Sequence, residues 1–283
     1  RRYLAEFLWD PRVIEMPRAL WWLILNGIIL RVRPKRSAHA YQKVWTEQGS
    51  PLLIESRGLA DALAARLKAE YGERVIVDLA MTYGNPSIPA ALERFRQRNV
   101  QRLIVLPLYP QYSSTTTGTI FERVTRELSR WRWMPELRFV NQYWERESYL
   151  SAVSASIAEH WRKHGRKHLL FSFHSIPKRY FTAGDPYHCF CRGTARAVAE
   201  RLGLKDGEWS SGFQSRFGKE EWLKPYVDGL LHEYAKNGPK QVTVVCPGFA
   251  TDCLETLEEI SMQIREMFLA EGGTEFDYVP CLN

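Results

Sequence analysis

The feature that most constrains this chain is a pattern that occurs twice: an apolar run of strand length breaks at a proline and gives way to a helical periodicity. In its first occurrence, His168-Leu169-Leu170-Phe171-Ser172-Phe173 stops at His174-Ser175-Ile176-Pro177, and a Gly184-Asp185-Pro186-Tyr187 turn precedes the next helix. In its second, Val242-Thr243-Val244-Val245-Cys246 stops at Pro247-Gly248, and Thr251 and Asp252 open a helix. Further strands are expected over 75–81, 102–108, 137–142, 209–213 and 276–280, between helices over about 57–71, 89–98, 146–163, 192–202, 225–236 and 254–270. Strands that alternate with helices predict parallel sheets covered on both faces. The expected fold is therefore α/β, with two similar Rossmann-like domains, 1–165 and 166–283, each a parallel sheet flanked by helices, around a shared cleft.

In an open α/β sheet, ligands bind outside the carboxyl ends of the strands, and His174 falls at such an end. Its imidazole is a proton acceptor of suitable basicity, although one histidine at a strand end also fits a satisfied core position. Glu255 and Glu259 lie four apart, which on an α-helix puts both carboxylates on one face, about 6 Å apart along the axis. Such a pair is often a solvated acidic face. Glu255, however, falls in the first turn after a strand, beside the expected crevice.

The formal charge of +7 and pI near 9.2 suit an anionic partner. No zinc-finger spacing or RNP-like aromatic motif points to nucleic acid, which is not an expected partner. Five cysteines at irregular spacing make no disulfide framework and no signal-peptide pattern precedes them, so the cytoplasm is the expected compartment. The stretch 20–30 is strongly apolar, yet too short and too interrupted by Asn26-Gly27 to span a membrane. With the basic Arg31-Val32-Arg33-Pro34-Lys35-Arg36 behind it, it fits either an interfacial membrane contact or a buried helix beside a basic loop. The hydroxyl run Ser113 to Thr117 lacks the lysine and glycine spacing of a phosphate loop.

Five motifs occur in order over nearly the whole chain: Tyr109-Pro110-Gln111-Tyr112-Ser113, Phe171-Ser172-Phe173-His174-Ser175-Ile176-Pro177, Gly184-Asp185-Pro186-Tyr187, Phe213-Gln214-Ser215-Arg216 leading to Trp222, and Asp252-Cys253-Leu254-Glu255-Thr256-Leu257-Glu258-Glu259. In these the chain resembles the ferrochelatase family, of bacterial type. The resemblance implies insertion of ferrous iron, a substrate metal, into protoporphyrin IX to form protohaem. It implies His174 and Glu255 as the catalytic pair and the metal contacts, with Glu259 as a further acid behind them. Porphyrin contacts would come from Tyr41, Ser50, Met81, Thr82, Tyr83, Tyr109, Trp222 and Phe249, with Arg33 for a propionate. Two positions depart from the animal pattern, Thr82 in place of an arginine and Cys253 in place of a histidine.

The resemblance also implies that the 20–30 region forms a lip touching the membrane. The protein would then lie peripherally on the inner face of the cell membrane, in contact with the enzyme that supplies protoporphyrin. A short strand with an Asn-Leu-Gly-Thr-Pro-like motif would precede Arg1. Animal members bind a [2Fe–2S] cluster through a C-terminal extension and a cysteine where this chain has Ser114. Cys189, Cys191, Cys246 and Cys253 lack the specificity of paired C-x-x-C spacing, so they read as small buried thiols and a cluster is not expected. Two alternatives stay open: a chelatase for coproporphyrin or another tetrapyrrole and metal pair, and a non-catalytic tetrapyrrole-binding protein, which would have no need of a base.

Overall fold

The computed structural model describes residues 1–218 and 220–283, and their internal packing divides them into two units. The first unit comprises Arg1–Pro107 with Ser113–Asn141, and the second Leu108–Tyr112 with Gln142–Asn283.

The first unit opens with α1 (Arg2–Leu8), α2 (Arg18–Ile24), a π turn (Leu25–Ile29) and α3 (Leu30–Val44). The apolar 20–30 stretch divides its residues between two environments. Leu8, Trp21, Leu25 and Leu30 make a small buried core, and the Trp21 indole N–H donates to the Leu8 carbonyl at 2.7 Å. Leu20, Trp22, Leu23, Ile28 and Val32 are exposed, Val32 by 69%. Next come α4 (Pro51–Tyr71), with a proline in its first turn where a missing N–H costs nothing, and α5 (Ile88–Gln97), whose first turn donates to the Ser87 side chain. Then β1 (Arg102–Val105), α6 (Thr117–Leu128) and β2 (Glu136–Phe139) form a parallel βαβ unit, in register from Arg102 with Glu136 to Val105 with Phe139. The strand expected over 75–81 does not form. Its backbone has no ladder partner among the described residues beyond a single bridge from Met81 to Ser87, and Val75 and Ile76 are exposed. An apolar run becomes a strand only where a neighbour supplies its hydrogen bonds. Among the described residues, no helix is long and apolar enough to cross a membrane.

The second unit runs α7 (Glu147–His164), β3 (His168–His174), α8 (Lys178–Thr182), α9 (Tyr187–Arg201), β4 (Trp209–Gln214), α10 (Val227–Asn237), β5 (Gln241–Val245), a π-helix (Glu255–Ile264), α11 (Arg265–Ala270) and β6 (Glu275–Val279). Its four strands are parallel, in the order β4-β3-β5-β6. The sequence places the domain boundary near 165, whereas α7 belongs with the second unit. Tyr149, Leu150, Val153, Ile157 and Trp161 of that helix are buried in the same core as β3, which accounts for the earlier boundary.

Alternation along β3 builds both cores. Leu169, Phe171 and Phe173 pack with α7 and α9, and Leu170 packs on the opposite face with α10, the π-helix and α11. After β3 the chain leaves over the first of these faces, and after β5 it leaves over the second. The sheet therefore opens at the carboxyl ends of these two adjacent strands, the switch point at which α/β sheets bind ligands.

Phe171 is fully buried, with its ring edge on Trp209 at 5.7 Å. Phe171→Ala is expected to lower the unfolding free energy of the second unit by about 3–5 kcal/mol through lost burial and the cavity left behind. Trp22→Ser, at a 54% exposed position, should change it by less than about 0.5 kcal/mol. Denaturant titration followed by fluorescence checks both.

Candidate active site

His174 is the last residue of β3, in register with Gln214 at the end of β4. Its Nδ1 lies 2.6 Å from the Ser175 carbonyl oxygen. A carbonyl only accepts, so Nδ1 carries the proton and the neutral ring keeps its lone pair on Nε2. The turn that presents the ring is tied down on each side. The Ser175 N–H donates to the Gln214 carbonyl at 2.8 Å, the Ser175 hydroxyl to the Leu223 carbonyl at 3.3 Å, and the Leu223 N–H to the Ile176 carbonyl at 3.0 Å. Trp222, bridged to Pro177, is 4% exposed and packs against Phe217 with ring centroids 4.7 Å apart.

Glu255 and Glu259 stand on a π-helix rather than the α-helix that the sequence predicts. Its hydrogen bonds run from i to i+5, so each turn holds more residues than in an α-helix. Buried Asp252 fixes the start of this helix by accepting from the Thr256 hydroxyl at 2.8 Å, the Asn283 amide at 2.9 Å, the Cys281 N–H at 3.3 Å and the Tyr278 hydroxyl at 2.5 Å. Four donors offset the desolvation of one buried carboxylate.

The turn after β4 grips the same helix at two points. The Gln214 side-chain amide, 4% exposed, donates to the Glu255 carbonyl at 2.9 Å, and its oxygen accepts from the Ser172 hydroxyl and from the Cys246 thiol at 3.7 Å. Ser215 adopts φ +65°, a left-handed conformation uncommon outside glycine and asparagine, and aims its N–H at Glu259 Oε1 at 2.8 Å and its hydroxyl at Oε2. Burial holds the Glu259 carboxyl above the usual glutamate range. The Ser215 hydrogen bonds and the His174 ring draw it back down, and Glu255 pushes it up. Beside Glu255 lies Tyr109, whose phenol burial pushes up to about 12, helped by Cys253 and Glu255. It therefore remains a hydrogen-bond donor at neutral pH.

Glu259 is thus within electrostatic reach of His174 and of Glu255, and Tyr109 of Glu255, while Phe249 follows β5 on the π-helix side of the sheet. The remaining candidates belong to the first unit. Arg33 and Tyr41 are on α3, and burial lowers the Arg33 guanidinium pKa, with Arg36 adding to the effect. Ser50 precedes α4. Met81, Thr82 and Tyr83 form a turn whose Met81 N–H donates to the Pro86 carbonyl at 2.7 Å, and the Tyr83 ring packs on Phe7 at 5.3 Å under the Arg123 guanidinium at 4.5 Å.

Cys189 is exposed, whereas Cys191, Cys246 and Cys253 are buried, and burial pushes these three thiols well above their ordinary pKa. Among the described residues, no three His, Cys, Asp or Glu side chains are grouped as ligands of a metal ion. Reasoning from sequence missed the positioning roles of Gln214, Ser215 and Asp252. All three lie inside quoted motifs, but the left-handed turn at Ser215 has no signature in a serine.

Over residues 1–283 the sequence matches the protein family described as Ferrochelatase. It is 57% identical over 284 residues to the ferrochelatases of Thioalkalivibrio sulfidiphilus and Nitrosococcus oceani, in alignments covering 100% of this chain and 77% of each relative. Among solved structures, SirB from Bacillus subtilis with Fe3+ superposes with a TM-score of 0.56 at 16% identity, covering 82% of this chain and 85% of that one. The sirohydrochlorin chelatase SirB of Bacillus subtilis subspecies spizizenii with cobalt gives 0.51 at 16% identity, covering 80% and 82%. At such identity the likeness is one of fold alone.

Ser215→Ala removes one donor from the charged form of Glu259 while keeping the backbone donor, so the carboxyl pKa should rise further. A 13C titration of the Glu259 side chain would show its midpoint moving to higher pH. An unchanged or lower midpoint would mean that the hydroxyl does not stabilise the carboxylate.

Proposed function

Because the chain belongs to the ferrochelatase family, we propose that His174, Glu255 and Glu259 carry out its reaction, the insertion of ferrous iron into a porphyrin, with protoporphyrin IX as substrate and protohaem as product. The metal keeps its charge, and two pyrrole N–H protons must leave the macrocycle as the iron enters. The observation that carries the assignment is the Ser175 carbonyl on His174 Nδ1, which leaves the Nε2 lone pair to accept a pyrrole proton. The imidazolium so formed lies within electrostatic reach of Glu259, whose carboxyl the His174 ring draws toward its charged form. A carboxyl raised by burial takes up a proton more readily than a solvated one, which suits Glu259 to receiving protons from the ring side. Glu255, at the start of the π-helix, attracts the hydrated cation and shares the relay.

Tyr109 supplies aromatic surface beside Glu255, with Trp222 beneath the His174 turn, and the contact assigned to Phe249 rests on the motif resemblance. The contacts assigned to Arg33, Tyr41, Ser50, Met81, Thr82 and Tyr83 rest on the motif resemblance. Peripheral contact with an anionic membrane, on the inner face of the cell membrane, is supported by the exposed Leu20, Trp22, Leu23, Ile28 and Val32 beside exposed Arg31, Lys35 and Arg36. Trp21 faces the core and takes no part in this surface.

Mixing the protein anaerobically with protoporphyrin and ferrous iron, and following the Soret band, tests the reaction directly. His174→Ala should lower turnover by about 10²–10⁴-fold while porphyrin binding, read by fluorescence quenching, persists. Glu255→Gln should be severe and Glu259→Gln milder. Near-normal turnover in the histidine variant would remove it as the base, and faster turnover of coproporphyrin would replace protoporphyrin as the substrate.

The membrane contact is checked by sedimentation with anionic vesicles. Replacing both Trp22 and Leu23 with Ser should weaken it, as should added salt for the unaltered protein. Equal sedimentation of both proteins would remove this surface as the contact.

A further inference from the structure

Ten consecutive residues, Glu255–Ile264, hold π geometry. Such geometry is normally confined to single-turn bulges, so a stretch of this length requires interactions that α geometry would forfeit. The Gln214 and Ser215 contacts reach Glu255 and Glu259, on the side of the turn after β4. A second set lies within the helix. Glu258, 4% exposed, accepts from the Gln263 side-chain amide at 2.8 Å on each carboxylate oxygen. These residues are five apart, the i to i+5 spacing of π hydrogen bonding, which keeps both on one side of the helix. In an α-helix the same pair would be rotated apart by about 140°, too far to meet.

We propose that Glu258 and Gln263 are positioning residues: they form a side-chain staple across one π turn that holds Glu259 within reach of Ser215. The buried carboxylate gives the staple its strength, because reversion to α geometry would separate Glu258 from the Gln263 amide. Glu258 is also the immediate neighbour of Glu259 in the chain, so the register of one fixes the direction of the other. On the far side, Thr256 and Ile260 are fully buried, and the helix cannot rotate as a whole to compensate. This inference rests on the proposed relay only in its effect on turnover. Its effect on helix register is independent of that reading.

The test is a charge exchange. Gln263→Glu sets two carboxylates against each other at an exposed position, and Gln263→Ala removes the staple without adding charge. The double variant Glu258→Gln with Gln263→Glu restores an amide–carboxylate pair in the reverse direction. In crystal structures of the two single variants, the Ser215 N to Glu259 Oε1 distance, now 2.8 Å, should open beyond hydrogen-bond reach, and it should close again in the double variant. Turnover should fall about tenfold in Gln263→Glu, at unchanged porphyrin KM, and recover in the double variant. Retention of the π register in both single variants, or failure of the exchange to restore a register lost in Gln263→Glu, would overturn the staple. Should the double variant not fold, the register of Gln263→Ala alone decides. If register is lost and regained while turnover stays constant, the staple stands and the role of Glu259 in the relay falls.

Discussion

The site depends on one turn, Gln214-Ser215, which couples the carboxyl end of the sheet to the first turns of the π-helix. The Gln214 carbonyl holds the Ser175 N–H, and so the residue on which the His174 imidazole rests. The Gln214 side chain holds the Glu255 carbonyl, and Ser215 holds the Glu259 carboxylate by both its N–H and its hydroxyl. A left-handed serine costs on the order of 1–3 kcal/mol. Hydrogen bonds to a charged acceptor contribute about 1.5–3 kcal/mol each, enough to offset that strain. The turn therefore stores its strain where the three side chains proposed to act need a common reference point.

The buried carboxylates of this region do different work because their donors differ. Asp252 accepts from four partners on three segments and is a fixed anchor for the helix start. Glu259 accepts from one residue only among the described contacts, and burial leaves its proton affinity raised. The first arrangement favours rigidity, and the second allows the group to exchange a proton. The buried thiols Cys246 and Cys253 stay protonated in the same surroundings, since burial opposes the thiolate.

Much of this was legible in the sequence where the signal was periodic or punctuated. The apolar β3 and β5 runs, their Pro breaks and the four-residue spacing of Glu255 and Glu259 located the sheet ends and the acidic helix. Pairing was harder to read: the run over 75–81 has strand composition but no ladder partner, and α7 joined the second unit because its apolar face matches the second core. Helix type was not legible at all, since the same spacing suits α and π geometry and the choice rests on contacts from Gln214, Ser215 and Gln263. Trp21 and Trp22 show the same limit, adjacent tryptophans of which one is buried and one is exposed.

The central claim is that this framework fixes the His174 tautomer, with the proton on Nδ1 and the lone pair on Nε2. Nitrogen-15 NMR of histidine-labelled protein at neutral pH, with the His174 signals assigned by their loss in a His174 variant, measures this most directly. A protonated Nδ1 and an unprotonated Nε2 would agree with the account, whereas a proton on Nε2 beside a bare Nδ1 would contradict it.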